Sequence, residues 1–195
     1  MSVEQLTVYI ASQNEKEKVA MQLVYHCAPF LKGKRVATVV ALTEKEEIAL
    51  YENLRDTDIQ IFKMQGRGKE KLYFLYRNKE YHTYLSDQNI RYFLKRYGYQ
   101  GKEILTYLEF LNARIEKSIL EKGEFPHEIG VLLGYPLEDV KGFTNHKGKN
   151  FLCTGYWKVY KNEEKKKKLF RLFDELRSIC EREFLQGKSI CEIAL

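Results

Sequence analysis

The chain has 195 residues, of which 44% are hydrophobic and 31% charged, and its formal net charge is +6. That length and balance describe one folded domain that buries most of its apolar surface, and they exclude a disordered or linker-rich chain. The excess charge is modest and scattered, so it is a weak pointer to polyanions, and no apolar run approaches the roughly 18–20 residues that span a bilayer.

The N-terminus lacks a basic region followed by an apolar one, so a cytoplasmic protein with no membrane partner is expected. Four cysteines, at 27, 153, 180 and 191, show neither C-x-x-C pairing nor histidines at zinc-finger spacing, and read as free thiols.

In chain order, residues 6–10 suit a strand or a helix. Ser12 and Glu15 have capping-box spacing, and Val19, Ala20, Leu23, Val24 and Cys27 recur at helical intervals. The first helix is therefore expected from about Gln13, stopping by Ala28 because Pro29 disfavours helical geometry before it. Residues 35–43 are rich in Val and Ala and read as a buried strand. Thr43 followed by Glu46 and Glu47 caps a second helix reaching about Leu54.

Residues 59–64 and 71–77 then form a hairpin around Gln65-Gly-Arg-Gly-Lys69. That glycine-rich turn leads from strand to strand, so its N–H groups do not converge on a phosphate as they do where a strand leads into a helix. Residues 81–118 read as two helices broken at Gly98 and Gly101. Short helices follow in residues 125–144, then a strand at 151–160. A long last helix is capped by Asn162, with Leu169, Leu172, Phe173, Leu176 and Cys180 as its apolar stripe. The run Lys165 to Lys168 reads as a solvated face with Glu163–Lys167 and Glu164–Lys168 pairs.

The fold class expected from this order is α+β. A small antiparallel or mixed sheet with a split βαβ-like core, β-α-β-β-α-β, carries helices packed on one face and a long C-terminal helix, all in a single domain.

Residues 125–160 concentrate the unusual chemistry. They hold two of the three prolines, the only tryptophan and two of the four histidines. Pro126 suits the first position of a helix, which puts His127 and Glu128 in the first turn, where the dipole favours a neutral imidazole and an ionised carboxylate. That pairing suits a general base or metal ligands, although Glu128 could simply complement the dipole while His127 packs. On a continuous strand, Tyr156, Lys158 and Tyr160 share a face where Lys158 could meet an anion, and Gly155 leaves a gap in the pleat.

His26 and Cys27 form a neighbouring pair at the end of the first helix. They offer a nucleophile and a base, but the helix C-terminus is the wrong end to stabilise a thiolate, and Cys27 continues the apolar stripe. A different class of function is offered by Pro126 to Thr144, whose small and apolar positions match helix-turn-helix spacing. Glu138 and Asp139 at the start of the would-be recognition helix oppose DNA contacts.

Three blocks, H-C-A-P at His26 to Pro29, F-P-H-E-I-G-x-L-L-G-Y-P-L-E-D-V at Phe125 to Val140, and G-Y-W-K-V-Y at Gly155 to Tyr160, together resemble an uncharacterised bacterial family, domain of unknown function thirty-seven ninety-three. The resemblance covers most of the chain and implies a small cytosolic protein of similar length. It carries no activity, cofactor or catalytic residues. It marks His26, Cys27, Pro126, His127, Glu128, Gly134, Tyr135, Pro136, Gly155, Trp157 and Lys158 as motif positions. The chain departs from the family pattern in its more basic Leu31-Lys-Gly-Lys-Arg35.

The leading expectation is a small anionic or metal-containing ligand bound where the three blocks meet. His26, His127, Glu128, Tyr135 and Lys158 would be its contacts, His127 and Glu128 the metal candidates, and Lys158 the charge complement. The alternatives are DNA binding through the helix-turn-helix and an enzyme with Cys27, His127 or Glu128 as catalytic candidates.

Overall fold

The computed structural model describes residues 14–194, so Ser12 and the 6–10 stretch lie outside the described residues. Helix α1 spans Glu15–Leu31, with the Asn14 side chain accepting from the Glu17 N–H and acids in the first turn. It runs past Pro29. A proline inside a helix costs about 3 kcal/mol. Two things offset that here. Phe30 and Leu31 are buried in the core, at roughly 1.5–3 kcal/mol per side chain. The buried guanidinium of Arg77 donates to the carbonyls of Phe30 (2.9 Å) and Leu31 (3.3 Å), so the last turn keeps its acceptors satisfied.

Strand β1 (Ala37–Thr43), helix α2 (Glu47–Leu54) and strands β2 (Ile59–Met64) and β3 (Glu70–Arg77) form the expected split βαβ unit. The sheet order is β1-β3-β2, and β3 is antiparallel to both neighbours, with Ala37 opposite Tyr76 and Ile59 opposite Arg77. Thr43 is tied to the start of α2, its N–H and hydroxyl both donating to Glu46 Oε2 (2.8 and 2.7 Å).

Both faces of this sheet are covered, not one. Along β3 the side chains alternate. Tyr73 and Leu75 enter a core with α1, α2 and the C-terminal helices, while Phe74 and Tyr76 enter a second core with the central helices. Burial on both sides makes residues 73–77 continuously buried, so no polar-apolar alternation is left in the sequence.

The central layer holds three helices where two were expected: α3 (Asn78–Leu85), α4 (Gln88–Lys95) and α5 (Ile104–Leu120). Asp87 makes the extra break, its carboxylate accepting the N–H groups of Asn89 and Ile90 to start α4. Two short helices, α6 (Ile129–Leu132) and α7 (Leu137–His146), flank Gly134, whose φ of 77° closes the turn as the Tyr135 N–H returns to the Gly130 carbonyl (2.8 Å). Pro136 is the cap of α7.

The single strand expected at 151–160 does not join the main sheet. It folds back as a separate hairpin, β4 (Cys153–Thr154) with β5 (Lys158–Val159). The cause is packing on the last long helix, α8 (Glu163–Leu185), which is followed by α9 (Ile190–Ile193). The Phe170 ring occupies the place a Cβ on Gly155 would take, so only glycine lets the turn settle there. Tyr156, Trp157 and Val159 then close a third small core with Phe170 and Phe173.

The stripe of α8 is largely the expected one, with Leu169 and Leu176 packed half-buried against this core. Phe170, Phe173 and Cys180 are buried, and Leu172 is exposed. Asn162 supplies no side-chain cap. Within the lysine run, Lys167 pairs with Glu163, whereas Lys166 turns inward and is only 6% exposed.

Gly142 offers a sign test of this packing. An alanine in mid-helix normally gains about 1 kcal/mol over glycine, but a Cβ at Gly142 would overlap the Tyr160 ring. Urea unfolding of Gly142→Ala should therefore show a loss of about 1–3 kcal/mol, as overpacking does. A gain would contradict the contact between α7 and Tyr160.

Candidate functional site

A cavity of about 310 Å3 lies between α6–α7 and the β4–β5 hairpin. Its walls are Ile129, Gly130, Tyr135, Val140, Phe143 and Trp157, and its polar lining comes from His127, Asp139, Thr154 and Lys158. Tyr135 and Trp157 stack with centroids 5.0 Å apart, and Phe170 braces the indole edge-on from behind at 4.7 Å. The Arg35 guanidinium sits 5.0 Å from the Tyr135 centroid, while its Nη2 donates to the Leu133 carbonyl (3.2 Å).

Asp139 holds these walls together. Its carboxylate is 2% exposed. Oδ1 accepts the backbone N–H groups of Tyr160 (2.8 Å) and Lys161 (3.2 Å), and Oδ2 accepts the indole N–H of Trp157 (2.8 Å). Lys166 from α8 brings its ammonium to 3.7 Å from Oδ2 and donates to Glu138 Oε1 at 2.9 Å. Burial alone would raise the Glu138 carboxyl, but the Lys166 ammonium outweighs it and holds that group below its ordinary value. One carboxylate thus fixes the hairpin, the indole wall and α8 relative to α7.

Lys158 donates to the Gly148 carbonyl (2.8 Å), and its ammonium lies near the rings of Phe151 (4.9 Å) and Phe143 (5.7 Å). An ammonium has three donors, so one carbonyl leaves N–H capacity for an anion. His127 packs edge-on against Phe143, with Nε2 3.1 Å from the exposed carboxylate of Glu124.

Among the motif positions, the fold brings His127, Tyr135, Trp157 and Lys158 to one cavity. Glu128 goes elsewhere. Its side chain is 1% exposed, paired with the Arg114 guanidinium and accepting from the Tyr99 hydroxyl (3.2 Å). Burial first, then the Glu128 charge, pushes the Tyr99 phenol well up, so it stays a donor. His26 and Cys27 do not line the cavity either. His26 is at the surface of α1 beside Tyr25, and Cys27 is fully buried under Thr38. Burial drives the Cys27 thiol up to about 11, against the thiolate a nucleophile needs. Cys153 is half-buried in the hairpin.

The helix-turn-helix positions fold differently from a DNA reader. The first helix is a single turn of 4 residues, and the first-turn acids of α7 face Lys166 and the hairpin. Among the described residues, no group of three or more His, Cys, Asp or Glu side chains is placed to hold a metal ion, and no helix is long and apolar enough to cross a membrane.

A family model described as a protein of unknown function, DUF3793, matches residues 23–194. The chain belongs to the DUF3793 family. Neither a curated protein nor a solved structure matches it. The DUF3793 match runs from within α1 to the end of α9, so it takes in both faces of the sheet and the whole cavity.

Asp139, which lines the cavity, and Lys166, which lies behind it, carry no mark in the sequence, because nothing in a run of acids or lysines says which member turns inward. The DUF3793 chain offers a test of Glu128. Glu128→Gln removes the charge facing Arg114 and should cost about 1–3 kcal/mol in urea unfolding, less than a fully buried pair because Arg114 reaches solvent. The emission of Trp157 should stay unchanged. Full stability with a shifted emission would place this carboxylate in the cavity instead.

Proposed function

We propose that the protein binds a small molecule with a flat apolar body and one anionic group in the cavity between α6–α7 and the hairpin. The observation that carries this reading is the lining itself: an aromatic wall of Tyr135, Trp157 and Phe143 with Lys158 and His127 on the polar side. Ligand pockets typically combine mostly apolar walls with a few placed polar groups, in volumes of about 300–1,000 Å3. A cavity of about 310 Å3 is at the small end of that range and suits a single ring system. Asp139 adds no free acceptor, since both oxygens are engaged by donors of the protein. The unspent polar capacity therefore favours an anion over a cation.

Trp157 is the only tryptophan, so its fluorescence reports on the cavity alone. Titration with benzoate and phenyl phosphate should shift that emission at lower concentration than titration with benzyl alcohol. Lys158→Gln keeps a donor for the Gly148 carbonyl but removes the charge. It should weaken the anionic probes roughly 10- to 100-fold, the scale of a charge-assisted hydrogen bond of about 1.5–3 kcal/mol. Equal response to the neutral probe, or unchanged affinity in the variant, would overturn the reading.

A further inference from the structure

A group of cations without ion-pair partners among the described residues lies on α4 and the turn that follows it, away from the cavity. Gln88 to Lys102 carries Arg91, Lys95, Arg96 and Lys102 and no acidic residue. All four are exposed, and none forms an ion pair or side-chain hydrogen bond among the described residues. In the more conspicuous lysine run on α8, Lys166 is spent on Glu138 and Asp139 and Lys167 on Glu163 and Glu164, which leaves only Lys165 and Lys168 exposed and unpaired among the described residues. Among the neighbouring acids, Asp87 is occupied in capping α4, and Glu128 is buried against Arg114. Glu103 flanks the segment at its far end. Lys141 of α7 adds a further cation, its ammonium 5.9 Å from the ring of Phe93.

Between these cations an aromatic ring is presented to solvent. Tyr92 is 71% exposed on a helix whose Ile90, Phe93 and Leu94 are buried. A groove of about 520 Å3 runs beside it, lined by Arg91, Lys95, Tyr99 and Gln100. The Tyr99 hydroxyl is already committed to Glu128, so Tyr99 contributes floor while Gln100 offers an amide at the rim.

From this arrangement we propose that the α4 groove binds single-stranded nucleic acid. Arg91 and Lys95 are one turn apart, about 6 Å along the axis, the scale of one nucleotide step in an extended strand. They are placed for successive phosphates, and the Tyr92 ring between them is placed to stack a base. Basic grooves interleaved with exposed aromatics are the general means of holding a strand without reading its sequence. A duplex hides its base faces, so it cannot use Tyr92. A free nucleotide would want its cations converging on one phosphate, whereas these lie in a row. The proposal is independent of the ligand cavity, which shares no residue with this groove.

The test is fluorescence anisotropy of a labelled twelve-nucleotide deoxythymidine strand with the full chain. Binding should be measurable at 50 mM salt and weaken roughly 7- to 50-fold at 200 mM, as expected for two to four neutralised phosphates of a single strand. Tyr92→Ala should weaken it roughly 5- to 150-fold, the loss of one base stack, and Tyr92→Phe should restore it. Arg91→Glu with Lys95→Glu should abolish it. Lys165→Glu with Lys168→Glu makes the same change in net charge at exposed positions of α8, and should leave affinity within about threefold because screening confines such effects. All four positions are exposed, and circular dichroism melts identify any variant that fails to fold. No binding at 50 mM salt overturns the proposal. So does equal loss in the α8 pair, a duplex bound as tightly as the strand, or full competition by an equal concentration of thymidine monophosphate.

Discussion

The Asp139 carboxylate is the constraint on which the candidate site depends. A buried carboxylate must find donors for both oxygens, and here two backbone N–H groups, one indole and one ammonium supply them. These donors come from three pieces of chain, the end of the hairpin, its turn, and α8, and Asp139 gathers them at one point. The Trp157 wall, the β4–β5 hairpin and the inward Lys166 are therefore one polar assembly, and the cavity is the space it leaves beside α7. A short hairpin of two residue pairs is not stable alone. Its hold on Asp139 and its seat on Phe170 account for its persistence.

Beneath the cavity, the doubly covered sheet provides the rigid base. Tyr73 and Leu75 on one side and Phe74 and Tyr76 on the other tie two cores through one strand. Arg77 at the end of that strand closes the last turn of α1 and pairs with Asp58 at 2.8 Å, which links the first helix to the β2 edge. The central helices hang from the second core, and the Tyr81 and Tyr84 hydroxyls reach the carbonyls of Leu132 (3.0 Å) and Val131 (2.6 Å) at the end of α6. The side of the cavity that carries His127 and Ile129 is thus anchored to the sheet, and the side that carries Trp157 and Lys158 is anchored to α8.

Most local signals were legible in the sequence, the Asp87 cap that splits the central helices being an exception, and long-range ones were not. The split βαβ unit and the hairpin around 65–69 follow from β-branched runs, turn residues and caps, each read within a few positions. The two failures at element ends have long-range causes. Helix α1 outruns Pro29 because Arg77, 48 positions away by residue number, caps its carbonyls. The 151–160 segment bends because Phe170 sits beneath Gly155. The candidate site divides in the same way. His127, Tyr135 and Lys158 stood out by residue type and do line one cavity. Glu128 stood out equally but answers to Arg114 and Tyr99, and Asp139, the residue with most partners, looked like one member of an acidic pair at a helix start.

The most direct measurement is of Asp139→Asn, which keeps the side-chain volume and removes only charge and acceptor capacity. Whichever way the new amide turns, its NH2 faces either the two backbone N–H groups or the indole and Lys166, donor against donor. In 15N-resolved spectra the Trp157 indole N–H of the native protein should be protected from exchange. In the variant it should lose that protection and its emission should move to the red, with a loss of roughly 2–4 kcal/mol in urea unfolding. A variant with the native unfolding midpoint and a protected Trp157 indole would contradict the assignment of Asp139 as the group that assembles the cavity.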